Sequence, residues 1–345
     1  MIRKFIKSVA SFPLLLRVSA KSRYLSVLYY LFFSRSFGRE QQAVLNGRLK
    51  YLESRKGSSH SRYFLRRNIH RLEKGLLMKP RRSVFGLEYI SDTVTCYKQV
   101  AATTPLNAST RDELQWAHDV LEKYFSVTDL HPIIEEAKFK FSANGSLYIQ
   151  SSDYSPYKRN LKEPVPVTYD AFCKLALRRR SVRWYLPKPV PRELIDQAIH
   201  IARLSPSACN RQPFHFYVFD EPELVQKMAT LPMGTAGFSH NFPAIVVIAG
   251  QLRAYLDERD RHLIYIDGSL AAMSFMLALE TLNLSSCPIN WPDIESREQK
   301  MAKFLKLDDD ERVLMLISIG YPDPEGMVAY SQKRSLNEIR SYNAR

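Results

Sequence analysis

An arginine-rich segment in the second half of the chain carries the side chains best suited to binding a phosphate group. Arg178, Arg179, Arg180, Ser181 and Arg183 follow one another closely at the predicted end of a helix. Arginine presents a planar fork of donors and serine presents a hydroxyl, and both donate well to phosphate oxygens. Taken alone, such a cluster is more often a solvated helix end, so its assignment depends on the segments that accompany it.

A polar loop over residues 205–214, with the sequence SPSACNRQPF, connects the next predicted helix to a strand. Its amide side chains, Asn210 and Gln212, offer both hydrogen-bond donors and acceptors. A planar heterocycle with alternating C=O and N–H groups requires that combination. Cys209 in the same loop is interpreted as a small buried thiol rather than as a redox centre.

Two further segments lie nearer the end of the chain. Cys287–Asn290 follows a long apolar helix and can present backbone groups to a ring. Lys333 and Arg334 follow the last predicted strand and can approach a phosphate from the other side. Each segment is weak evidence alone, but the order and spacing of all four between residues 178 and 336 are specific.

Helices and strands alternate through this half of the chain and position the four segments. The hydrophobic pattern predicts helices over residues 169–179, 191–204 and 267–283, and strands over 214–219, 244–249 and 313–319. The last of these helices is apolar on nearly every side, which predicts a central position or a subunit interface. No phosphate-binding loop or dinucleotide fingerprint occurs, so the pattern predicts an α+β layered fold and excludes Rossmann and P-loop enzymes.

Taken together, the four segments resemble the nitroreductase family of flavin enzymes. The domain of that family opens with RRSxR, continues through SPSxxNxQPW into a strand, and ends with a GYP turn and a basic pair. The matching residues here are Arg179–Arg183, Ser205–Phe214, Ile319–Pro322 and Lys333–Arg334. The resemblance covers roughly residues 167–341, and Phe214 stands where the family usually has tryptophan.

This resemblance implies an α+β, nitroreductase-like FMN-binding fold, in which helices flank a central, mostly antiparallel sheet. It also implies a homodimer that holds FMN at the subunit interface. The residues expected to contact FMN are Arg179, Arg180, Ser181, Arg183, Pro206, Ser207, Asn210, Gln212, Pro288, Ile289, Asn290, Lys333 and Arg334.

The implied contacts divide according to the part of the cofactor that they meet. The arginine-rich segment and the pair Lys333–Arg334 bind the ribityl phosphate, and the loop around Asn210 meets the edge of the isoalloxazine. The backbone N–H of Asn290 is directed at flavin N5, where it stabilises the charge that develops as hydride arrives. The flavin carries the chemistry, so no side chain is assigned as catalytic.

The implied activity is transfer of two electrons from NAD(P)H, the transient reductant, through the flavin to an electron-poor acceptor such as a nitroaromatic, a quinone or a conjugated carbonyl. A dehydrogenation in a biosynthetic pathway, such as that of a surface polysaccharide, stays open as well. The reason is that HRLEKGL at residues 70–76 resembles nitroreductase-like proteins associated with bacterial surface-polysaccharide genes. The alternative is a non-catalytic flavin-binding protein, or a membrane-surface assembly partner within a biosynthetic complex.

The cysteines argue against a metal site and against a disulfide framework. Cys96, Cys173, Cys209 and Cys287 form no CxxC pair and no Cys/His cluster at metal-ligand spacing. A reducing compartment is the simplest interpretation of that pattern.

Positive charge is concentrated in the first hundred residues. The 345 residues carry 50 Lys+Arg and 35 Asp+Glu, a formal net charge of +15. Residues 1–100 hold 21 of the basic and 5 of the acidic side chains, which leaves 29 and 30 for residues 101–345. A near-neutral globular body with a basic leader fits this distribution better than a uniformly basic nucleic-acid binder. No nucleic-acid-binding signature occurs, so nucleic acid is not expected as a partner.

The sequence predicts a basic amphipathic leader over residues 1–38, a mainly helical region with a linker over 39–165, and the FMN-binding domain over 166–345. In the leader, the apolar runs at 9–16 and 24–33 are shorter than the roughly 20 residues that a membrane-crossing helix needs. Basic residues flank both runs, so the leader is expected either to lie on an acidic membrane surface or to pack on the protein's own core or a second subunit. The protein is accordingly expected to be cytoplasmic, and peripheral at the inner face of the membrane if the leader lies on that surface.

Helical periodicity also extends through the region that follows the leader. Residues 40–80 are predicted to form two helices separated by a turn at Gly57–Ser59. A third helix is predicted over 110–125, with Thr110 as its N-cap and Glu113 completing a capping box. His70 stands alone beside basic residues and is interpreted as structural.

Overall fold

The computed structural model describes residues 13–34, 36–54, 62–103, 108–143 and 154–344, without the side chains of residues 108 and 109. The chain forms two compact units. The helical unit comprises Met1–Pro156, Gln251–His262 and Ala302–Arg312. The sheet unit comprises Tyr157–Gly250, Leu263–Met301 and Val313–Arg345. The boundaries predicted at residues 38 and 165 stay predictions.

The helical unit is built from helices whose apolar stripes meet in one core. These helices are α1 (Pro13–Ser19), α2 (Arg23–Phe32), α3 (Gly38–Ser54), α4 (Arg62–Leu77), α5 (Ile90–Thr103), α6 (Ala108–Val127) and α7 (Pro132–Ser142). Leu65, Ile69 and Leu72 of α4 are fully buried together with Leu114 and Leu121 of α6. Helices α3 and α4 confirm the two helices predicted over residues 40–80, whereas the turn predicted at residues 57–59 lies outside the described residues.

The capping box predicted at Thr110 and Glu113 is wrong. Helix α6 begins at Ala108, so Thr110 lies inside the helix rather than before it. The Glu113 carboxylate forms ion pairs with Arg62 and Arg66 of α4. The Glu113 carboxylate therefore pairs with arginines of another helix, whereas in a capping box it would accept a hydrogen bond from the backbone of its own helix.

An ion cluster around the buried Arg253 and Asp310 joins α3 to the two later segments of the helical unit. Arg253 Nε lies 2.8 Å from Asp310 Oδ2, and Arg253 Nη2 lies 2.6 Å from Asp308 Oδ2. Lys50 Nζ of α3 lies 2.7 Å from Asp310 Oδ1. The hydrogen bond from Lys50 is the main reason that the pKa of Asp308 is held below its usual value. Because an unpaired buried charge is costly, this cluster fixes all three segments together.

Gly47 of α3 is expected to tolerate no side chain, because a Cβ there would lie 2.7 Å from the backbone carbonyl carbon of Leu252. Gly47→Ala should lower the free energy of unfolding, since overpacking costs about 1–3 kcal/mol and the gain in helix propensity is only about 1 kcal/mol. Gly38→Ala, in the same helix, is the matched control because nothing lies within 4 Å of its added Cβ. Denaturant unfolding of both variants checks this, and equal stabilities would contradict the packing described.

The sheet unit alternates helices with strands. All or most residues of the following elements belong to it: α8 (Tyr169–Arg178), α9 (Arg192–Ala202), β1 (Phe214–Phe219), α10 (Pro222–Ala229), β2 (Ala244–Gln251), α11 (Leu263–Thr281), β3 (Ser285–Asn290), α12 (Glu295–Leu305), β4 (Glu311–Gly320) and α13 (Leu336–Ile339). The strands form one sheet in the order β1–β2–β4–β3. Strand β1 pairs antiparallel with β2, and β3 pairs antiparallel with β4. The predicted α+β fold with a mostly antiparallel sheet is confirmed.

Strand β3 was not predicted from the sequence. Its sequence, SSCPIN, contains Pro288, and proline is depleted in strands because it has no N–H to donate to the ladder. The strand lies at the end of the four-stranded order, where proline is tolerated. Along β3 the side chains alternate, so Cys287 and Ile289 are buried while Pro288 and Asn290 are exposed.

Helix α11 has two different faces. One face is buried in the core of the sheet unit, where Phe275 and Leu279 pack against strand residues such as Ile248 and Ile317. The opposite face exposes Ile266, Leu270 and Met273. Among the described residues, Glu258–Thr281 is the one helical stretch whose length and composition would allow it to cross a membrane, and half of its apolar window is buried in the protein. A core helix passes the same test.

Candidate functional site

The arginine-rich segment lies beside strand β3. Helix α8 is capped by Thr168, which accepts a hydrogen bond from the Ala171 N–H at 3.2 Å, and it ends at Arg178. The chain then becomes extended. Ser181 forms a parallel bridge with Ser286, and the N–H of Val182 donates to the carbonyl of Ser286 at 3.1 Å. Two of the four predicted segments are therefore adjacent.

The Cys287 side chain of β3 lies close to the arginine-rich segment. Its thiol is buried, and burial raises its pKa against the opposing influence of Arg183, Ser181 and Arg179. The thiol is therefore protonated at neutral pH. Because both arginines act on the pKa of this thiol, Arg179 and Arg183 lie near the strand that carries Pro288, Ile289 and Asn290.

The free donors of the arginine-rich segment suit an anionic group. Among the described residues, no protein acceptor receives a hydrogen bond from the side chain of Arg179. Arg183 is exposed, with its guanidinium 5.6 Å from the centre of the Phe238 ring, and its Nη1 donates to the carbonyl of Ser181 at 3.4 Å. Its remaining donors are available to a phosphate, which is the chemistry predicted for this segment.

Arg180 has a different environment from its neighbours. Its Nη2 donates to the carbonyl of Ala329 at 2.8 Å and to the carbonyl of Tyr330. This places the C-terminal segment next to the arginine-rich segment, just before Lys333 and Arg334. The FMN contact predicted for Arg180 stays a prediction, and the structure gives this side chain an anchoring contact.

The basic pair Lys333–Arg334 lies on an exposed part of the chain directly before α13. Arg334 Nη2 donates to the carbonyl of Glu338 at 3.3 Å, and its Nε lies 3.8 Å from the Glu338 carboxylate. Ser335 and Glu338 form a capping box at the start of the helix. Both cations are accessible to a ligand.

The loop over residues 205–213 is held in a conformation that its residues rarely adopt. Cys209, Asn210 and Gln212 have φ angles of 53°, 51° and 51°. Left-handed backbone at three non-glycine residues is costly, and such strain concentrates at functional sites. Hydrogen bonds within the loop hold it, from the Gln212 N–H to Ser207 Oγ at 3.0 Å and from Gln212 Nε2 to Asn210 Oδ1 at 2.8 Å.

Asp267 of α11 anchors this loop, and the sequence analysis did not single it out. The side chain is buried, and its Oδ2 accepts a hydrogen bond from the Ala208 N–H at 3.0 Å. Ser205 adds a second anchor through Ser274 Oγ of the same helix at 2.8 Å. Pro206, Ser207, Asn210 and Gln212 lie in this anchored loop, and their contact with the isoalloxazine edge stays a prediction. The available signal was an acid inside an otherwise apolar helix.

Two more polar residues hold the arginine-rich segment. Glu280, at the other end of α11, accepts from Arg178 Nε at 3.3 Å and from Ser285 Oγ at 3.1 Å, and burial raises the pKa of its carboxyl. Asn241 Nδ2 donates to the carbonyl of Arg183 at 3.0 Å. The sequence analysis missed both, because their partners are distant along the chain.

Comparison with known proteins identifies the family. The model of the nitroreductase family matches residues 176–321. A protein of Archaeoglobus fulgidus assigned as an NADH dehydrogenase/NAD(P)H nitroreductase is 30% identical over 155 residues, which are 44% of this chain and 86% of that protein. The chain belongs to the nitroreductase family. The prediction of an FMN-dependent NAD(P)H oxidoreductase, with FMN as cofactor, is confirmed at the level of this family.

Other known proteins match as well. Iodotyrosine deiodinase 1 of Pongo abelii is 24% identical over 266 residues, 67% of this chain and 87% of that protein. The 4-nitrobenzoate reductase of Pseudomonas putida is 27% identical over 211 residues, 46% of this chain and 88% of that protein. Among solved structures, an FMN-dependent nitroreductase from Clostridium difficile is 26% identical, with a TM-score of 0.42 over 49% of this chain and 98% of that one.

Proposed function

We propose that this nitroreductase-family chain transfers two electrons from NAD(P)H to an electron-poor small molecule: a nitroaromatic, a quinone or a conjugated carbonyl. The observation that carries the proposal is that the arginine-rich segment, with the guanidinium groups of Arg179 and Arg183, lies beside strand β3. A nitroaromatic acceptor is supported by the 4-nitrobenzoate reductase among the relatives.

The residues present fit FMN. Arg179, Ser181 and Arg183 would hold the phosphate, with Arg334 and Lys333 approaching from the C-terminal segment. Asn210, with Pro206, Ser207 and Gln212, would meet the heterocycle edge, and Pro288–Asn290 would lie against the ring. When bound, FMN supplies the capacity to accept and donate hydride. The protein's part is to bind, to orient and to provide a backbone N–H donor at Asn290.

The two parts of the proposed FMN site are attached to opposite ends of α11. The loop over residues 205–213 is bonded to Asp267, and the arginine-rich segment is bonded to Glu280. Thirteen residues of helix separate them by about 20 Å. We propose that two copies pair through the exposed face of α11. A two-fold axis perpendicular to α11 would run the two copies of this helix antiparallel and bring the same face of each into contact. The loop of one copy would then meet the arginine-rich segment of the other, which completes the site at the interface of a homodimer.

The biosynthetic dehydrogenation and the non-catalytic alternative make different predictions from this proposal. Supplied with FMN and NADH or NADPH without oxygen, the purified protein is expected to consume reduced nicotinamide in step with 4-nitrobenzoate or a quinone. Flavin that an organic substrate reduces in the absence of NADH and NADPH would favour a dehydrogenation, in which the substrate is the electron donor. Flavin binding without reduction by either nicotinamide would favour the non-catalytic role.

Location in the cytoplasm, with peripheral contact at the inner face of the membrane, is part of the same proposal.

A further inference from the structure

Helix α2 presents its most apolar face outward. Tyr24, Val27, Leu31 and Phe32 are each 59–67% exposed, and no residue of this helix is buried. The polar Ser26 has the opposite orientation, since its hydroxyl donates to the carbonyl of Ser19 at 2.8 Å. A helix on the surface of a globular protein ordinarily turns its apolar stripe toward the core. Because α2 turns its apolar stripe outward, we infer that this stripe is a binding surface.

The apolar surface extends beyond α2. Leu14 of α1 is 63% exposed, and Phe37, just before α3, is also exposed. The Phe37 ring contacts the Tyr30 ring with centroids 4.4 Å apart, which holds the end of α2 against the turn that follows. Single exposed apolar residues need no explanation, but an extensive exposed apolar surface marks an interaction site.

The charge of this segment identifies the kind of partner. The first 39 residues contain eight Lys+Arg and no Asp or Glu. Within the described part of the leader, Arg17, Lys21 and Arg23 are all exposed. Two copies of such a face would repel each other, because each brings only positive charge. An anionic surface would instead neutralise these cations while covering the apolar side chains.

We propose that α1 and α2 lie flat on an anionic lipid surface. The ten residues of α2 extend about 15 Å, half of the roughly 30 Å hydrocarbon thickness, so the helix can lie along the interface but cannot cross it. Val27, Leu31 and Phe32 enter the boundary between headgroups and acyl chains. Arg17 and Lys21 stay among the lipid phosphates. Tyr24 fits the same layer because its ring is apolar and its hydroxyl is polar.

The test uses the full chain loaded with FMN and sedimented with lipid vesicles. Vesicles of phosphatidylglycerol and phosphatidylcholine are expected to carry the protein down, and phosphatidylcholine alone should bind at least tenfold more weakly, since each basic residue near an anionic surface contributes about fivefold. Raising the salt concentration should reduce binding to the anionic vesicles.

The decisive variant is Val27→Glu with Leu31→Glu, which should weaken vesicle binding at least tenfold. Both side chains are exposed, so the fold and the flavin content are expected to stay unchanged. Phe139→Glu is the matched control, because Phe139 is 76% exposed on α7 outside the proposed surface. Charge reversal at Arg17, Lys21 and Arg23 should remove the preference for anionic lipid.

Absence of binding to anionic vesicles, or equal binding by wild type and the double variant, would overturn the proposal. A double variant that binds vesicles normally but elutes at a different mass would show instead that the face contacts protein. Each of these results leaves the flavin chemistry untouched, because flavin content and NAD(P)H oxidation are measured separately on the same samples.

Discussion

Replacing Arg183 and Arg334 together with alanine is expected to release FMN while the fold is retained. Both guanidinium groups are exposed. Arg183 belongs to the arginine-rich segment, and Arg334 lies on the C-terminal segment that Arg180 holds beside it through the carbonyls of Ala329 and Tyr330. Hydrogen bonds to charged groups contribute about 1.5–3 kcal/mol each, so losing two should weaken FMN binding by at least about 10²-fold.

Flavin absorbance of the purified variant, and its recovery on addition of FMN, measure this effect. The matched control is Arg192→Ala with Arg259→Ala, which removes the same net charge from two exposed arginines outside the candidate site. The control should keep its flavin. Unchanged flavin content in Arg183→Ala with Arg334→Ala, beside a normal unfolding transition, would contradict the phosphate assignment.

Leu270→Glu is expected to convert a dimer into a monomer that binds FMN poorly. Leu270 lies at the centre of the exposed face of α11, between Ile266 and Met273. In an isolated chain a glutamate at this exposed position should change the free energy of unfolding by about 0.5 kcal/mol or less. Across a two-fold axis, however, it would bury two like charges in an apolar contact. Loss of dimer and loss of flavin should therefore occur together.

Sedimentation velocity and flavin content, measured on the same preparation, check the effect of Leu270→Glu. Leu270→Met is the control, since this exchange nearly conserves volume and polarity. It should leave both mass and flavin unchanged. A Leu270→Glu variant that becomes monomeric but keeps its full flavin content would show that one chain completes the site by itself. A variant that stays dimeric would place the subunit contact on another face.

The sequence predicted those elements whose signal is local. The apolar run of residues 214–219 coincides with β1, and helix α8 ends within one residue of its predicted end at residue 179. Strand β3 was missed because Pro288 interrupts the pattern, and its position at the end of the sheet order is a property of the whole sheet. The capping prediction at Thr110 was wrong because the partner of Glu113 lies on another helix.

The candidate site divides in the same way. Its motifs could be located from the sequence, because residues that meet a phosphate or a heterocycle lie close together within short segments. The residues that hold those segments in place could not be located from the sequence. Asp267 and Glu280 are single acids within an apolar helix, and their roles follow from contacts with residues 59 and 102 positions away. Contacts at such separations are set by the fold and leave no local pattern.

The most direct measurement of the central claim is the absorbance spectrum of the purified protein, recorded without oxygen while NADH and then NADPH are added. The account predicts a yellow protein whose oxidised-flavin bands bleach on addition of reduced nicotinamide and return on addition of an electron-poor acceptor. A colourless protein that takes up no added FMN, or a bound flavin that neither nicotinamide reduces, would contradict it.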